Sequence, residues 1–300
     1  MQLLPFLSAF ALTFVATPYV SRFFFKRGIV GVDFHKDGEV KVPEMGGVAI
    51  FFSVLVVLLY KYFVGHAGLL IPLFVLYIIG TLGVIDGLVR LSAAQKVASF
   101  FVVGVFLAWG LGFRTVLAYI LIGFLFMTAV NFTNMLAGFN GLEIGTGAIA
   151  SVGMAAVSYI VGAETSFIIA SSMAGALLAF LYYNRYPARV FPGDVGTLII
   201  GAALFSAIII GRLYISGLII FIPYILDASL KFFSAGVMTR ESQKPTEMRD
   251  GKLFVPGGTN LSLARAFLRR SAMSEKEVVL RVWGIEALFG SLAIAYEVFL

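Results

Sequence analysis

The sequence predicts an all-α, polytopic membrane bundle of about ten transmembrane helices with its chemistry in cytoplasmic loops. Three observations predict it: charge is scarce, the apolar residues fall into ten separated runs, and the basic residues gather in alternate connections. Of 300 residues, 60% are hydrophobic and 13% charged, whereas a soluble domain carries about a quarter charged residues. So little charge cannot cover a globular surface, which leaves lipid as the solvent for most of the chain. Spans of about 20 residues use up this length, so a single membrane domain over 1–300 is expected. The absence of cysteine excludes disulfides, thiol nucleophiles and cysteine metal sites. Nothing in the sequence points to nucleic acid.

The runs are Leu3–Ser21, Gly46–Val64, Leu69–Ile85, Val97–Leu111, Thr115–Val130, Ile144–Val161, Ser166–Tyr183, Thr197–Gly211, Tyr214–Phe233 and Val278–Phe299. Helix is the expected form of each, because backbone polar groups in hydrocarbon must be satisfied within the segment. The first run is read as a span and not as a cleavable signal, since no small-residue cleavage site follows it. Ten spans put both termini on one side. The connections Arg22–Met45, Asp86–Lys96, Asn131–Glu143, Asn184–Gly196 and Ser234–Glu277, with their flanks, then hold all of the 22 Lys and Arg residues except Lys61, Arg114 and Arg212. The positive-inside rule places these connections in the cytoplasm.

Polar residues follow the same asymmetry. The spans carry few ionisable groups, chiefly Asp227 and Glu286, each expected to be a helix-end or interhelical hydrogen-bonding residue. A transporter keeps polar groups near the midplane, so polarity collected at one face suggests an enzyme at the membrane surface. Four segments stand out: Lys41-Val-Pro-Glu-Met-Gly-Gly47, Ile85-Asp-Gly-Leu-Val-Arg-Leu-Ser-Ala-Ala-Gln-Lys96, Asn131-Phe-Thr-Asn-Met-Leu-Ala-Gly-Phe-Asn-Gly-Leu-Glu143 and Asn184-Arg-Tyr-Pro-Ala-Arg-Val-Phe-Pro-Gly-Asp-Val-Gly-Thr197. Singly, each has a plain account as a turn or helix cap. Together they supply Asp86, Asn134 and Asp194 from separate loops. Hard oxygen donors of this kind suit Mg²⁺, which takes few protein ligands and fills its shell with water and phosphate oxygens. Lys96 would balance an anionic substrate.

These segments resemble the polyprenyl-phosphate N-acetylhexosamine-1-phosphate transferases, and most closely the eukaryotic and archaeal branch that makes dolichyl-diphosphate-GlcNAc. Two long motifs carry the resemblance: Asn131-x-x-Asn-x-x-Ala-Gly-x-Asn-Gly-Leu-Glu143 and Tyr183-Asn-x-Tyr-Pro-x-Arg-Val-Phe-x-Gly-Asp194. The resemblance implies that a UDP-sugar and a polyprenyl or dolichyl phosphate react to release UMP and leave a lipid-diphosphate sugar, the first intermediate of a carrier-built glycan such as those used in protein glycosylation. It implies Mg²⁺, with Mn²⁺ as the alternative ion, held by Asn134 and Asp194. Asn140 and Phe191 match positions that contact uracil, Glu44 falls near the nucleotide end, Lys96 matches the lysine near the diphosphate, and Asp86 matches the first acid of a paired aspartate. Lys244 and Arg249 match basic last-loop positions that recognise sugar or phosphate, although for each the plain alternative is a positive-inside residue. A homodimer and an archaeal plasma membrane also fit the resemblance.

The sequence departs from the pattern at two places. The second acid of the aspartate pair is Gly87, and the histidine-rich last loop of the bacterial branches is missing, since only His35 and His66 occur. The first departure weakens an aspartate-as-base mechanism; the second argues against a peptidoglycan-precursor enzyme. Two other readings stay open. A transporter or flippase of a lipid-linked or nucleotide sugar predicts a polar path through the spans. A non-catalytic relative predicts substrate binding without turnover. Asn131-Phe-Thr133 and Asn260-Leu-Ser262 fit the glycosylation acceptor pattern but fall on the predicted cytoplasmic side. Ala264–Arg281 reads as either an amphipathic surface helix or ordinary helical packing.

Overall fold

The computed structural model describes residues 2–33, 40–235, 246–249, 251–255 and 261–299. Within them lie eleven α-helices: α1 (Leu4–Lys26), α2 (Gly47–Phe63), α3 (Leu70–Val89), α4 (Ala93–Gly110), α5 (Val116–Met135), α6 (Leu142–Val161), α7 (Glu164–Asn184), α8 (Gly193–Gly211), α9 (Tyr214–Ala235), α10 (Leu263–Arg270) and α11 (Glu275–Phe299). Nine of these described helices are long and apolar enough to cross a membrane, and α2 is a shorter apolar helix of 17 residues. All ten expected runs are therefore helical, and the chain is an integral, multi-pass membrane protein.

Four helices reach several residues further than the apolar runs that predicted them, at the same end of the bundle. α3 continues through Asp86, α5 through Asn134, α4 begins before Lys96, and α8 begins before Asp194. The polar residues expected in loops therefore sit on helix termini. Each extension has a local cause. Ser92 and Gln95 form a capping box, with Ser92 Oγ accepting from the Gln95 amide at 3.3 Å and Gln95 Oε1 accepting from the Ser92 amide at 2.9 Å. At the end of α3, Asp86 Oδ1 accepts the Leu91 amide at 2.7 Å as Arg90 turns into a left-handed conformation.

α8 is the axis of the bundle. Its most apolar stretch is 83% buried, against 22% for α1 at the rim. Small residues let its neighbours approach backbone to backbone, the packing mode expected where lipid supplies no hydrophobic drive between helices. A Cβ on Gly47 of α2 would lie 2.4 Å from the Gly196 nitrogen, and one on Gly83 of α3 would lie 2.5 Å from the Val195 Cα. α5 packs on the same helix, where Thr133 Oγ1 donates to the Thr197 carbonyl at 3.1 Å.

The described connections also hold two short antiparallel ribbons that periodicity did not predict. β1 (Val30–Asp33) pairs with β2 (Val40–Pro43), and β3 (Glu247–Arg249) pairs with β4 (Lys252–Phe254). The stretch Ala264–Arg281 is not one helix. α10 ends at Arg270, Met273 bridges to Leu253 of β4, and α11 starts afresh. Asp227, inside α9, ties α10 down as its Oδ1 accepts the Leu263 amide at 2.8 Å, the interhelical hydrogen bonding that was one of the two roles expected of it. Glu286 departs from expectation. It stands in the middle of α11, fully buried, and among the described residues neither carboxyl oxygen has a hydrogen-bond partner.

Candidate active site

Asp86, Lys96, Asn134 and Asp194 come from four different helix ends and meet at one end of the bundle. Lys96 Nζ lies 2.5 Å from Asp86 Oδ2 and 2.9 Å from Asp194 Oδ2. The two carboxylates share one ammonium. Asp194 occupies the first turn of α8, where the helix dipole favours negative charge.

Asn134 joins this group through Thr197. Thr197 follows Asp194 by three residues and so shares its helix face. Its hydroxyl donates to Asn134 Oδ1 at 2.5 Å and lies 3.1 Å from the Asp194 carbonyl oxygen. On the other side of Asn134, Lys231 of α9 donates to the Met135 carbonyl at the end of α5 and pairs with Asp227 Oδ2 at 2.7 Å. The last turn of α5, which carries Asn134, is thus held from two directions.

The donor set fits a hard divalent cation. The Thr197 hydroxyl orients the Asn134 amide oxygen and touches the Asp194 main-chain carbonyl, both residues are partly open to solvent, and water or phosphate can supply further ligands. No group of three His, Cys, Asp or Glu side chains clusters among the described residues.

A second set of residues converges on the β1–β2 ribbon. The ribbon docks on the segment before α8: Phe191 donates its amide to the Pro43 carbonyl at 2.8 Å, and Gly46 donates to the Phe191 carbonyl at 2.9 Å. A Cβ on Gly31 would stand 3.0 Å from the Phe191 ring and 3.8 Å from Glu44 Cδ, so Glu44 and Phe191 flank the same strand. Two residues on, along the same strand face, Asp33 Oδ2 accepts from Asn140 Nδ2 at 3.0 Å. The Asn140 amide nitrogen donates to Glu275 Oε1 of α11 at 2.5 Å. Glu44, Asn140 and Phe191, predicted from three different segments, thus lie around β1. Gly141, directly after Asn140, takes φ +83° at the start of α6, a conformation glycine adopts without strain.

Arg249 stands apart from both sets. It is exposed on β3, where its Nη2 pairs with Glu247 Oε2 at 2.6 Å and its guanidinium lies over Phe254. Lys244 and His35 lie outside the described residues. Gly87 faces the flexible end of the Met45 side chain. A Cβ there would come within 2.9 Å of Cε and 3.0 Å of Sδ of Met45, a buried residue held at φ +63°.

Sequence reasoning missed Asp33, Thr197, Lys231 and Glu275. Thr197 was within reach, because it shares a helix face with Asp194. Asp33 and Glu275 meet Asn140 across 107 and 135 residues, and no local pattern marks such partners.

Comparison with known proteins agrees with this geometry. Residues 69–212, which carry Asp86, Lys96, Asn134, Asn140, Phe191 and Asp194, match glycosyl transferase family 4. A protein of Methanocaldococcus jannaschii, provisionally named a glycosyltransferase, is 40% identical over 292 residues, covering 94% of each chain. This chain belongs to glycosyl transferase family 4. Two other members show the breadth of the family. One, from Saccharolobus solfataricus and provisionally named a UDP-N-acetylglucosamine–dolichyl-phosphate N-acetylglucosaminephosphotransferase, is 29% identical over 98% of this chain and 96% of its own length. The other, a phospho-N-acetylmuramoyl-pentapeptide-transferase of Streptococcus mutans, is 31% identical over 95% of each chain.

Proposed function

We propose that this family 4 protein transfers GlcNAc 1-phosphate from UDP-GlcNAc to a polyprenyl or dolichyl phosphate at the cytoplasmic face, releasing UMP. The observation that carries the reading is the convergence of Asp86, Lys96, Asn134 and Asp194 at one end of an apolar bundle. A reaction between a water-soluble nucleotide and a lipid phosphate needs its charged groups at that boundary. The names of the archaeal relatives support GlcNAc as the sugar and dolichyl phosphate as the acceptor.

The acceptor phosphate is already ionised at neutral pH, so the protein's task is alignment and charge compensation more than proton removal. An oxygen of the lipid phosphate attacks the phosphorus that bears the sugar. The bond from that phosphorus to the bridging oxygen breaks, and UMP departs with the electron pair. Lys96 would swing its ammonium from the carboxylates toward the departing phosphate, where negative charge grows. Asp86 would hold Lys96 in place, and the Phe191 ring with the Asn140 amide would seat the base. Asn134 and Asp194 would hold Mg²⁺, whose contribution when bound is to neutralise the diphosphate oxygens.

The test measures transfer of labelled sugar phosphate by purified protein with short polyprenyl phosphate and Mg²⁺. Asp194→Ala should lose transfer by about three orders of magnitude or more, the scale expected when charge stabilisation at the reacting phosphorus is removed, while remaining monodisperse. Turnover at the normal rate in folded Asp194→Ala protein would overturn the site assignment.

A further inference from the structure

The contacts around Asn140 carry more than a seat for a base. Asn140, Asp33 and Glu275 are all buried. The Asn140 backbone is pinned by Glu275 Oε1, and its side chain is pinned by Asp33 Oδ2. A carboxylate only accepts hydrogen bonds, so it selects the NH₂ face of the neighbouring amide. With Nδ2 bonded to Asp33, Oδ1 is fixed on the other edge of the amide, and no hydrogen bond to that oxygen occurs among the described residues. An amide free to flip would turn either edge outward; this one cannot turn without giving up its bond to Asp33, so Oδ1 stays on the edge away from that carboxylate.

We propose that Asp33 is a specificity-positioning residue: by fixing the orientation of the Asn140 amide, it makes the nucleotide site select uracil over cytosine. The inference deepens the proposed function and rests on Asn140 facing the base. Uracil carries a hydrogen on N3, which Oδ1 accepts. Cytosine carries a lone pair there, so two acceptors would face each other, and an unpaired polar contact in a buried site gives strong discrimination. The placement of Asp33 supports the same role. It shares a face of β1 with Gly31, whose lack of a side chain lets the Phe191 ring lie against the strand. One short strand therefore sets both the stacking surface and the hydrogen-bonding edge.

The test compares UMP and CMP binding by titration calorimetry, alongside KM and kcat for UDP-GlcNAc. Wild-type protein should prefer UMP. Asp33→Ala, which frees the amide to turn, should narrow that preference by about tenfold or more, the cost of one buried hydrogen bond in a charged pair. KM should rise with it, and kcat should change less. An unchanged UMP preference in folded Asp33→Ala protein would overturn the proposal. Should Asp33→Ala not accumulate, the reciprocal pair decides. Asn140→Asp alone sets two carboxylates against each other and should lose UMP binding. Adding Asp33→Asn restores one hydrogen bond and one outward acceptor, and should recover it; no recovery would also overturn the proposal. Wild-type protein that neither prefers UMP nor releases it from UDP-GlcNAc would instead refute the function on which this rests.

Discussion

The two halves of the site are built from different materials. The Lys96 half stands on the ends of α3, α4, α5 and α8, whose backbones are locked by glycine contacts such as Gly83 against Val195. Its charged groups are immediate neighbours, two carboxylates around one ammonium. The Asn140 half stands on a four-residue strand and a helix entry, held by hydrogen bonds from residues far away in the chain. Rigid helix ends suit chemistry, where a displacement of about 1 Å costs about a hundredfold in rate. A ribbon with single hydrogen bonds suits recognition, where the orientation of one amide is enough. The two halves should therefore fail differently when damaged: the first in kcat, the second in KM and base preference.

The largest effect that would test this division comes from Lys96→Met, which keeps the aliphatic stem and removes the charge. Asp86 and Asp194 would lose their shared cation, and kcat for sugar-phosphate transfer should fall by about a thousandfold. The preference for UMP over CMP should persist. If base preference collapsed together with kcat, the two halves would be one cooperative unit and the comparison would be wrong.

Thr197→Val sharpens the boundary of the first half. The substitution conserves shape but deletes the hydroxyl that orients Asn134 toward Asp194. Loss of a group that orients metal-binding oxygens costs about 10–100-fold. The Mg²⁺ concentration for half-maximal transfer should rise by a factor in that range, with KM for UDP-GlcNAc moving less. An unchanged Mg²⁺ dependence would remove Asn134 from the proposed cation site.

The division also explains what was legible in the sequence. The helices were legible because hydrocarbon allows the backbone few alternatives, and each apolar run from Leu3–Ser21 to Val278–Phe299 became a helix. Lys96, Asn134 and Asp194 stood out as polar residues of local motifs, though they were expected in loops and lie on helix ends. The ends of α3 and α5 were misjudged by several residues, since Asp86 and Asn134 looked like loop residues when hydropathy alone set the boundary. The base half was legible only through its motif residues Glu44, Asn140 and Phe191. Its organisers, Asp33 and Glu275, were not singled out, because burial and long-range pairing leave no trace in a local pattern. Arg249 was the opposite case: its position in a basic stretch suggested substrate, whereas its described partners are Glu247 and Phe254 in its own ribbon.

The smallest expected effect comes from Gly87→Asp, which restores the second acid that the related pattern carries. Asp86 already engages Lys96, and the next residue on α3 is rotated by about 100° around the helix, away from that ammonium and toward Met45. A side chain at 87 meets the flexible end of the Met45 thioether at 2.9 Å; a methionine tip yields more readily than backbone. The variant should therefore fold, with a melting temperature lowered by a few degrees at most, the shift that about 1 kcal/mol produces. Sugar-phosphate transfer should change by less than about threefold, because an ionised acceptor phosphate needs little help in losing a proton. A rise of ten times or more in kcat, steepening with falling pH as the acceptor phosphate takes up a proton, would show that a second carboxylate acts as a base and that alignment and charge compensation alone do not account for the chemistry of the Lys96 half.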